Sequence, residues 1–514
     1  MGTLDGWMTL WRRVTLCAVA ASIGTTLAAA GCKPQAPRAA STAPAATTGR
    51  TAPTQVDAPP EKAPPETPAR QTPKPSATTF NEHVIPLAGR LVTPQRRDAA
   101  ALPSGMIAPG DLNNDRMSDW VVLVDVIDSQ GGTKRQIQAI SGADHTTLWA
   151  IDAPVTWDRP DADGATAQSL VPEGLRSLQD INDDQVPDIF LFGAGERPGF
   201  GAISGKDGIV IGLNATPKNQ LIQLVDVRIV TGDSHPDFVF ATTLDDADGD
   251  ENRGHMGFAV YNSTRFIRAV SYKKPFGRLS EGQTLLMGPI PDCNNDKISE
   301  ILCYGVIPSS RMRTQAEPQF AIVDGQRLRR WVLTRTHEDP TRGPSFMTTP
   351  GVVVKDSFPD LIISTPADEG AAKPSQFGLY VMKKLNYEWL LQGDKPGADG
   401  ARTDVQFGGP VVLTVDLDED GIPDVATTIV DAAKPTTRKV VAISSSKGVV
   451  LKDVVAPVAE SRFESRRDRI QLATVPSDAN ATSTRIGVSG YVTNAGDDAP
   501  AILLIDLIGT PKDD

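Results

Sequence analysis

The chain has 514 residues and carries 63 acidic against 51 basic side chains, a formal net charge of −12. That balance leaves no basic stripe to draw in a phosphate backbone, so a nucleic-acid partner is set aside. The only histidines are His83, His145, His235, His255 and His337; no His-Glu-x-x-His motif, Gly-x-Ser-x-Gly elbow or phosphate-binding glycine loop is present.

Residues 1–32 read as an export signal. Arg12 and Arg13 precede an uncharged run from Val14 to Gly31, too short and alanine-rich for a membrane span and placed where a removable signal lies. Ala28-Ala29-Ala30-Gly31 before Cys32 is similar to a bacterial lipoprotein signal, which implies cleavage and lipidation of Cys32 and a membrane anchor. An ordinary cleaved signal with a chance cysteine is the alternative. Residues 33–79 are rich in Pro, Ala and Thr with almost nothing to bury, so they are expected to be a disordered tether. At about 3 Å per residue in polyproline form it would reach roughly 130 Å.

From residue 80 to 510 one unit recurs, near 105–152, 170–213, 221–272, 284–335, 346–393, 405–455 and 466–510. Its mark is an acidic loop running into an apolar strand. The first loop holds Asp111, Asn113, Asp115 and Asp119 before Trp120-Val121-Val122-Leu123-Val124. The second holds Asp180, Asn182, Asp184 and Asp188 before Ile189-Phe190-Leu191-Phe192. Two repeats keep only the second half, Asp233 with Asp237 and Asp356 with Asp360, and read as copies that have lost their cation. Between them lie Asp292, Asn294, Asp296 and Glu300 before Ile301-Leu302-Cys303. The fullest copy is Asp416, Asp418, Asp420 and Asp424, with Gly421 at the sixth position, before Val425-Ala426-Thr427-Thr428-Ile429.

Oxygen donors at the first, third, fifth and ninth positions, with the backbone carbonyl of the seventh, suit Ca²⁺, which takes about six to eight oxygens at about 2.3–2.6 Å. The seventh residues are Met117, Val186, Ile298 and Ile422. Mg²⁺ fits less well because it holds its waters in near-octahedral order. Where Gly421 eases the sharp turn, the other loops carry Arg116, Gln185 and Lys297. Those three must accept left-handed backbone angles, at about 1–3 kcal/mol, or leave the loop open. Asp- and Asn-rich turns also occur without any metal, because these side chains bond their own backbone. A separate acidic run, Asp245 to Asn252, reads as a solvated loop tip or an accessory cation site.

A second hairpin follows each loop: Ile137-Gln138-Ala139-Ile140-Ser141-Gly142, Phe200-Gly201-Ala202-Ile203-Ser204-Gly205, then Phe258-Ala259-Val260-Tyr261, Phe320-Ala321-Ile322-Val323, Phe377-Gly378-Leu379-Tyr380 and Val440-Val441-Ala442-Ile443-Ser444. Four short antiparallel strands per unit predict an all-β, seven-bladed β-propeller after the N-terminal tether. The seventh unit has only three obvious strands, so the chain around His83-Val84-Ile85-Pro86-Leu87 is expected to supply the fourth and close the ring.

Phe407-Gly408-Gly409-Pro410, leading through Val415-Asp416 to Gly421-Ile422-Pro423-Asp424, resembles the FG-GAP/VCBS repeat of integrin α-subunit propellers and many bacterial surface proteins. The resemblance implies Ca²⁺ in the loops and a propeller serving adhesion or ligand binding. With the signal, it points to a cell-envelope binding or scaffold module whose partner is a protein or glycan at the cell surface, and not to an enzyme. The alternative is a propeller enzyme, polysaccharide-active or a quinone-dependent dehydrogenase. Quinoprotein propellers pack Trp between blades, and the seven Trp here are read as lacking a fixed repeat position. Cys17 leaves with the signal, so only Cys293 and Cys303 remain in the folded region, as a bridge or as two thiols.

Overall fold

The second strand of each unit is a continuous apolar run, and the packing shows why. Trp120, Val121, Val122, Leu123 and Val124 are all fully buried. A strand sends alternate side chains to opposite faces, so Trp120, Val122 and Val124 enter one apolar cluster while Val121 and Leu123 enter another. A strand sandwiched between two neighbouring sheets needs both faces apolar. Ile362 and Ile363 divide in the same way between two further clusters.

The computed structural model describes residues 83–92, 104–157, 168–193, 199–214, 221–228, 230, 235–243, 255–279, 286–294, 296–307, 319–326, 328–335, 346–356, 358–365, 374–384, 386–393, 405–407, 409–431, 438–456, 471–475, 483–494 and 497–508. The export signal, Cys32, the tether and the acidic run at 245–252 lie outside them. Among the described residues every regular element is a strand.

The sheets are antiparallel and follow the chain. Blade 1 is Met106–Gly110, Asp119–Ile127, Thr133–Ile140 and Thr147–Asp152; blade 2 is Gly174–Ser177, Ile189–Gly193, Gly199–Ile203 and Val210–Asn214. Blade 3 runs Leu221–Arg228, Asp237–Thr243, His255–Tyr261 and Arg268–Leu279, and blade 4 runs Leu286–Ile290, Glu300–Ile307, Gln319–Asp324 and Arg329–Arg335. A short pairing of Arg278 and Leu279 with Ile307 and Val306 joins these two sheets. Blade 5 is Phe346–Gly351, Asp360–Thr365, Gln376–Val381 and Asn386–Gln392. Blade 6 is Val411–Leu413, Val425–Asp431, Arg438–Ile443 and Val450–Ala456, with Val405–Gln406 extending its inner edge. A small hairpin, Val155–Trp157 with Gln168–Leu170, lies between blades 1 and 2 in sequence.

Blade 7 holds Leu472–Thr474, Ser483–Asn494 and Asp497–Ile508, and its outer strand is His83–Pro86, in register from His83 opposite Leu504 to Pro86 opposite Ala501. The expected closure is therefore present. The chain then crosses to blade 1, where Arg90 and Leu91 pair with Asp125 and Val124. The buried Gln471 amide ties the join: its Oε1 accepts from Ser104 Oγ at 2.5 Å and Gly105 N at 2.6 Å, and its Nε2 donates to Val92 O at 3.0 Å.

Seven apolar clusters replace a single core, and each bridges two consecutive sheets, the last joining blade 7 to blade 1 through Ile85, Leu504, Trp120 and Val122. This cyclic packing makes the chain a seven-bladed β-propeller. Cys303 is a buried free thiol in the cluster between blades 3 and 4, and Cys293 is a free thiol donating to Pro291 O at 3.1 Å. The two do not bridge.

Candidate metal centres

Within a blade, the loop between strands one and two and the turn between strands three and four leave the sheet at the same end. The four full acidic loops therefore share one rim of the ring. In each of the four full loops the first carboxylate organises the backbone. Its Oδ2 accepts from the sixth residue: Arg116 N to Asp111 at 2.7 Å, Gln185 N to Asp180 at 2.7 Å, Lys297 N to Asp292 at 2.7 Å and Gly421 N to Asp416 at 2.6 Å. The sixth residues take left-handed angles, with φ of 69°, 68°, 70° and 88° for Arg116, Gln185, Lys297 and Gly421. The non-glycine loops have thus accepted the strain and stayed closed. Asn114, Asp183 and Glu419 at the fourth position are left-handed as well.

The fifth carboxylate accepts from the seventh backbone N–H, Met117, Val186, Ile298 or Ile422, at 2.7–3.0 Å. In the first two loops the Asn113 and Asn182 amides donate to Asp115 and Asp184 at 2.9 and 3.1 Å. In the fourth blade Asn294 Oδ1 accepts from Asp296 N at 2.9 Å. Carboxylate oxygens of Asp292, Asp296 and Glu300 lie within 4.8 Å of one another, and so do those of Asp416, Asp418 and Asp420. Two anions at that separation repel by about 1 kcal/mol in water and about 3–4 kcal/mol at a surface-like dielectric, so each cluster favours a positive partner.

The ninth carboxylate does something the spacing alone does not reveal. Asp119, Asp188, Asp237, Glu300, Asp360 and Asp424 are all fully buried. Asp119 Oδ2 accepts from Leu112 N at 2.7 Å while Oδ1 accepts from Gly142 N, in the turn between strands three and four, at 2.8 Å. Asp188 does the same with Ile181 and Gly205, and Asp424 with Leu417 and Ser445. In these three blades the residue clamps the loop to the next turn. Asp237 and Asp360, in the two half-loops, still accept from Val230 N and from Val353 and Val354 N. Burial pushes the Asp119, Glu300 and Asp360 carboxyls up against the pull of their N–H partners, and carries Asp188 to about 7 and Asp424 to about 6.

In the fullest loop a cationic group already sits on the carboxylates. Lys447 Nζ lies 2.8 Å from Asp418 Oδ2 and 3.6 Å from Asp420 Oδ2, and Ser446 Oγ donates to Asp420 Oδ2. Burial raises the Asp418 carboxyl, but the bonds from Lys447 and Ser444 outweigh it and hold it below the ordinary range. Asp418 Oδ1 is buried without a hydrogen-bond partner. A cluster of hard oxygens with one buried oxygen unserved fits a hard cation.

The sequence also hid how neighbouring blades lock. Trp149 Nε1 donates to Gly205 O at 2.8 Å, and Trp389 Nε1 donates to Ser445 O at 2.9 Å. Both indoles sit one step past a bulge in the fourth strand, opposite Ala139 and Leu379, so these two Trp do share a repeat position, contrary to the sequence reading. Each lies against a left-handed glycine of the following blade, Gly208 or Gly448. Between blades 2 and 3 the arrangement reverses, and Phe266 packs onto Gly212.

No protein-family model matches the chain, and no curated protein matches it. Among solved structures, the chain is similar to BamB from Moraxella catarrhalis, at 9% identity over 85% of this chain and 99% of that one, with a TM-score of 0.35. It is similar to the Dos1 propeller at 8% identity over 80% and 95%, TM-score 0.38. A europium-containing methanol dehydrogenase matches at 9% identity over 76% and 80%, TM-score 0.37. At such identities the likeness is one of fold.

Proposed function

We propose that the chain is an FG-GAP/VCBS-type, calcium-binding propeller held at the bacterial cell envelope by lipid on Cys32, serving as a binding or scaffold module for a protein or glycan. The observation that carries this reading is the convergence of carboxylates at one rim, as at Asp416, Asp418 and Asp420, from loops whose backbone is already bent around them. Asp111, Asn113, Asp115 and the Met117 carbonyl, with their counterparts in blades 2, 4 and 6, would hold the ions. A buried ninth acid in six blades argues for framework and not for a single catalytic pair. Bound Ca²⁺ would supply the positive charge that cancels repulsion among the carboxylates.

Calcium titration by calorimetry, on the wild type and on Asp416→Ala/Asp420→Ala, tests the reading. Weak sites of about 10⁻⁴–10⁻³ M are expected, as in other extracellular modules, with one fewer in the variant. No heat, and a melting curve indifferent to chelator, would overturn it. Turnover of a sugar or alcohol would overturn the non-enzymatic role, and unchanged membrane partition of Cys32→Ser would overturn the anchor.

A further inference from the structure

We propose that Lys447 is a built-in ammonium that competes with the cation for the Asp416–Asp424 loop, so that the loop fullest in sequence binds its ion only when this side chain swings out. The inference rests on the calcium reading above. Lys447 and Ser446 come from the turn between strands three and four and between them cover Asp418 Oδ2 and Asp420 Oδ2, two of the three carboxylates that converge there. An ion entering the cluster meets oxygens already bonded to an ammonium and a hydroxyl.

The device belongs to this blade and not to the first two. Counting from Ser141, Ser204 and Ser444, the position of Lys447 is held by Asp144 in blade 1 and Asp207 in blade 2. Those carboxylates cap their own turns, accepting from Thr146 N at 3.0 Å and Ile209 N at 3.0 Å. Arg327, the counterpart in blade 4, lies outside the described residues. The Lys447 side chain is 54% exposed, so it has room to leave into water. When no ion is bound, its charge offsets the repulsion that the carboxylates would otherwise exert on one another.

Two effects of opposite sign follow from one substitution. Lys447→Met keeps the stem and removes the charge. Calcium should bind about fivefold more tightly to this loop, the size expected of losing a half-exposed ion pair. In chelator the same variant should melt at a lower temperature than the wild type. Lys439→Met, which removes the pair with Asp453 3.7 Å away elsewhere in blade 6, matches the change in net charge and should leave calcium affinity unaltered. Asp416→Asn/Asp420→Asn identifies which binding event belongs to the loop. Equal tightening in both lysine variants would mean a diffuse charge effect and overturn the proposal. Unchanged affinity in Lys447→Met, with the event still abolished by Asp416→Asn/Asp420→Asn, would overturn it while leaving the calcium reading intact. Absence of binding in the wild type and in Lys447→Met alike would overturn both.

Discussion

Ring closure by the N-terminal strand yields the sharpest stability prediction. Ile85 is fully buried between blade 7 and blade 1, against Trp120, Val122, Ile502 and Leu504. Ile85→Ala removes three carbons, worth about 0.8 kcal/mol each in transfer, and leaves a cavity between two sheets that cannot easily collapse. The sum is about 3–4 kcal/mol. The compact unit Lys74–Asp514 has about 440 residues. Its entropy of unfolding, at about 2.1 cal/mol/K per residue, is about 0.9 kcal/mol per degree, so Tm should fall by about 3–4 °C. Ile127→Ala deletes the same atoms from a side chain that is 80% exposed and should shift Tm by less than about 1 °C. Calorimetric melting of the two variants beside the wild type decides the matter. Equal Tm for Ile85→Ala and Ile127→Ala would mean that His83–Pro86 does not seal the ring.

Trp389→Phe leaves the Ser445 carbonyl without its indole donor and should cost about 1–3 kcal/mol, read as a lower urea midpoint. Asp237→Asn, in a half-loop without the leading carboxylates, should lower Tm equally with calcium and with chelator, whereas Asp416→Asn/Asp420→Asn should lower it more in calcium than in chelator. The pH dependence has a definite sign. Asp188 ionises near 3.8 in the unfolded chain and at about 7 when folded, because burial disfavours its charge, so folding takes up a proton between those values. In chelator, the Asp188 contribution to stability should be fully present below about pH 4 and be lost as pH rises through about 7. Asp188→Asn should flatten that slope in urea titrations across the window, and an unchanged slope would refute the assignment.

Much of the architecture was written in local pattern. Runs such as Trp120–Val124 and Ile301–Cys303 read as strands because a blade interior needs both faces apolar, and the Asp/Asn spacing marked the loops opening at Asp111, Asp180, Asp292 and Asp416 where they are observed. Apart from the closing strand at His83–Pro86, contacts between elements far apart in sequence were not legible. Nothing near Asp416 announces that an ammonium from the Lys447 turn lies on Asp418, or that Trp149 and Trp389 dock on the following blade. Spacing shows that an oxygen recurs at the ninth position, but not that the same acid bonds the backbone of its own loop. Its persistence at Asp237 and Asp360, where the leading ligands are missing, was the available sign of a structural duty.

That duty connects the rim to the ring. Asp424 Oδ1 accepts from Ser445 N, and the carbonyl of the same residue accepts from the Trp389 indole of blade 5. Asp188, Gly205 and Trp149 repeat the chain of contacts between blades 1 and 2. At both places a single residue carries the loop's carboxylate on its N–H and the neighbouring blade on its C=O. Anything that stiffens the 416–424 or 180–188 loop therefore restrains the peptide on which the adjacent sheet is hung. An ion at the rim would act on the joint between blades through one residue, without touching the apolar packing that separates them.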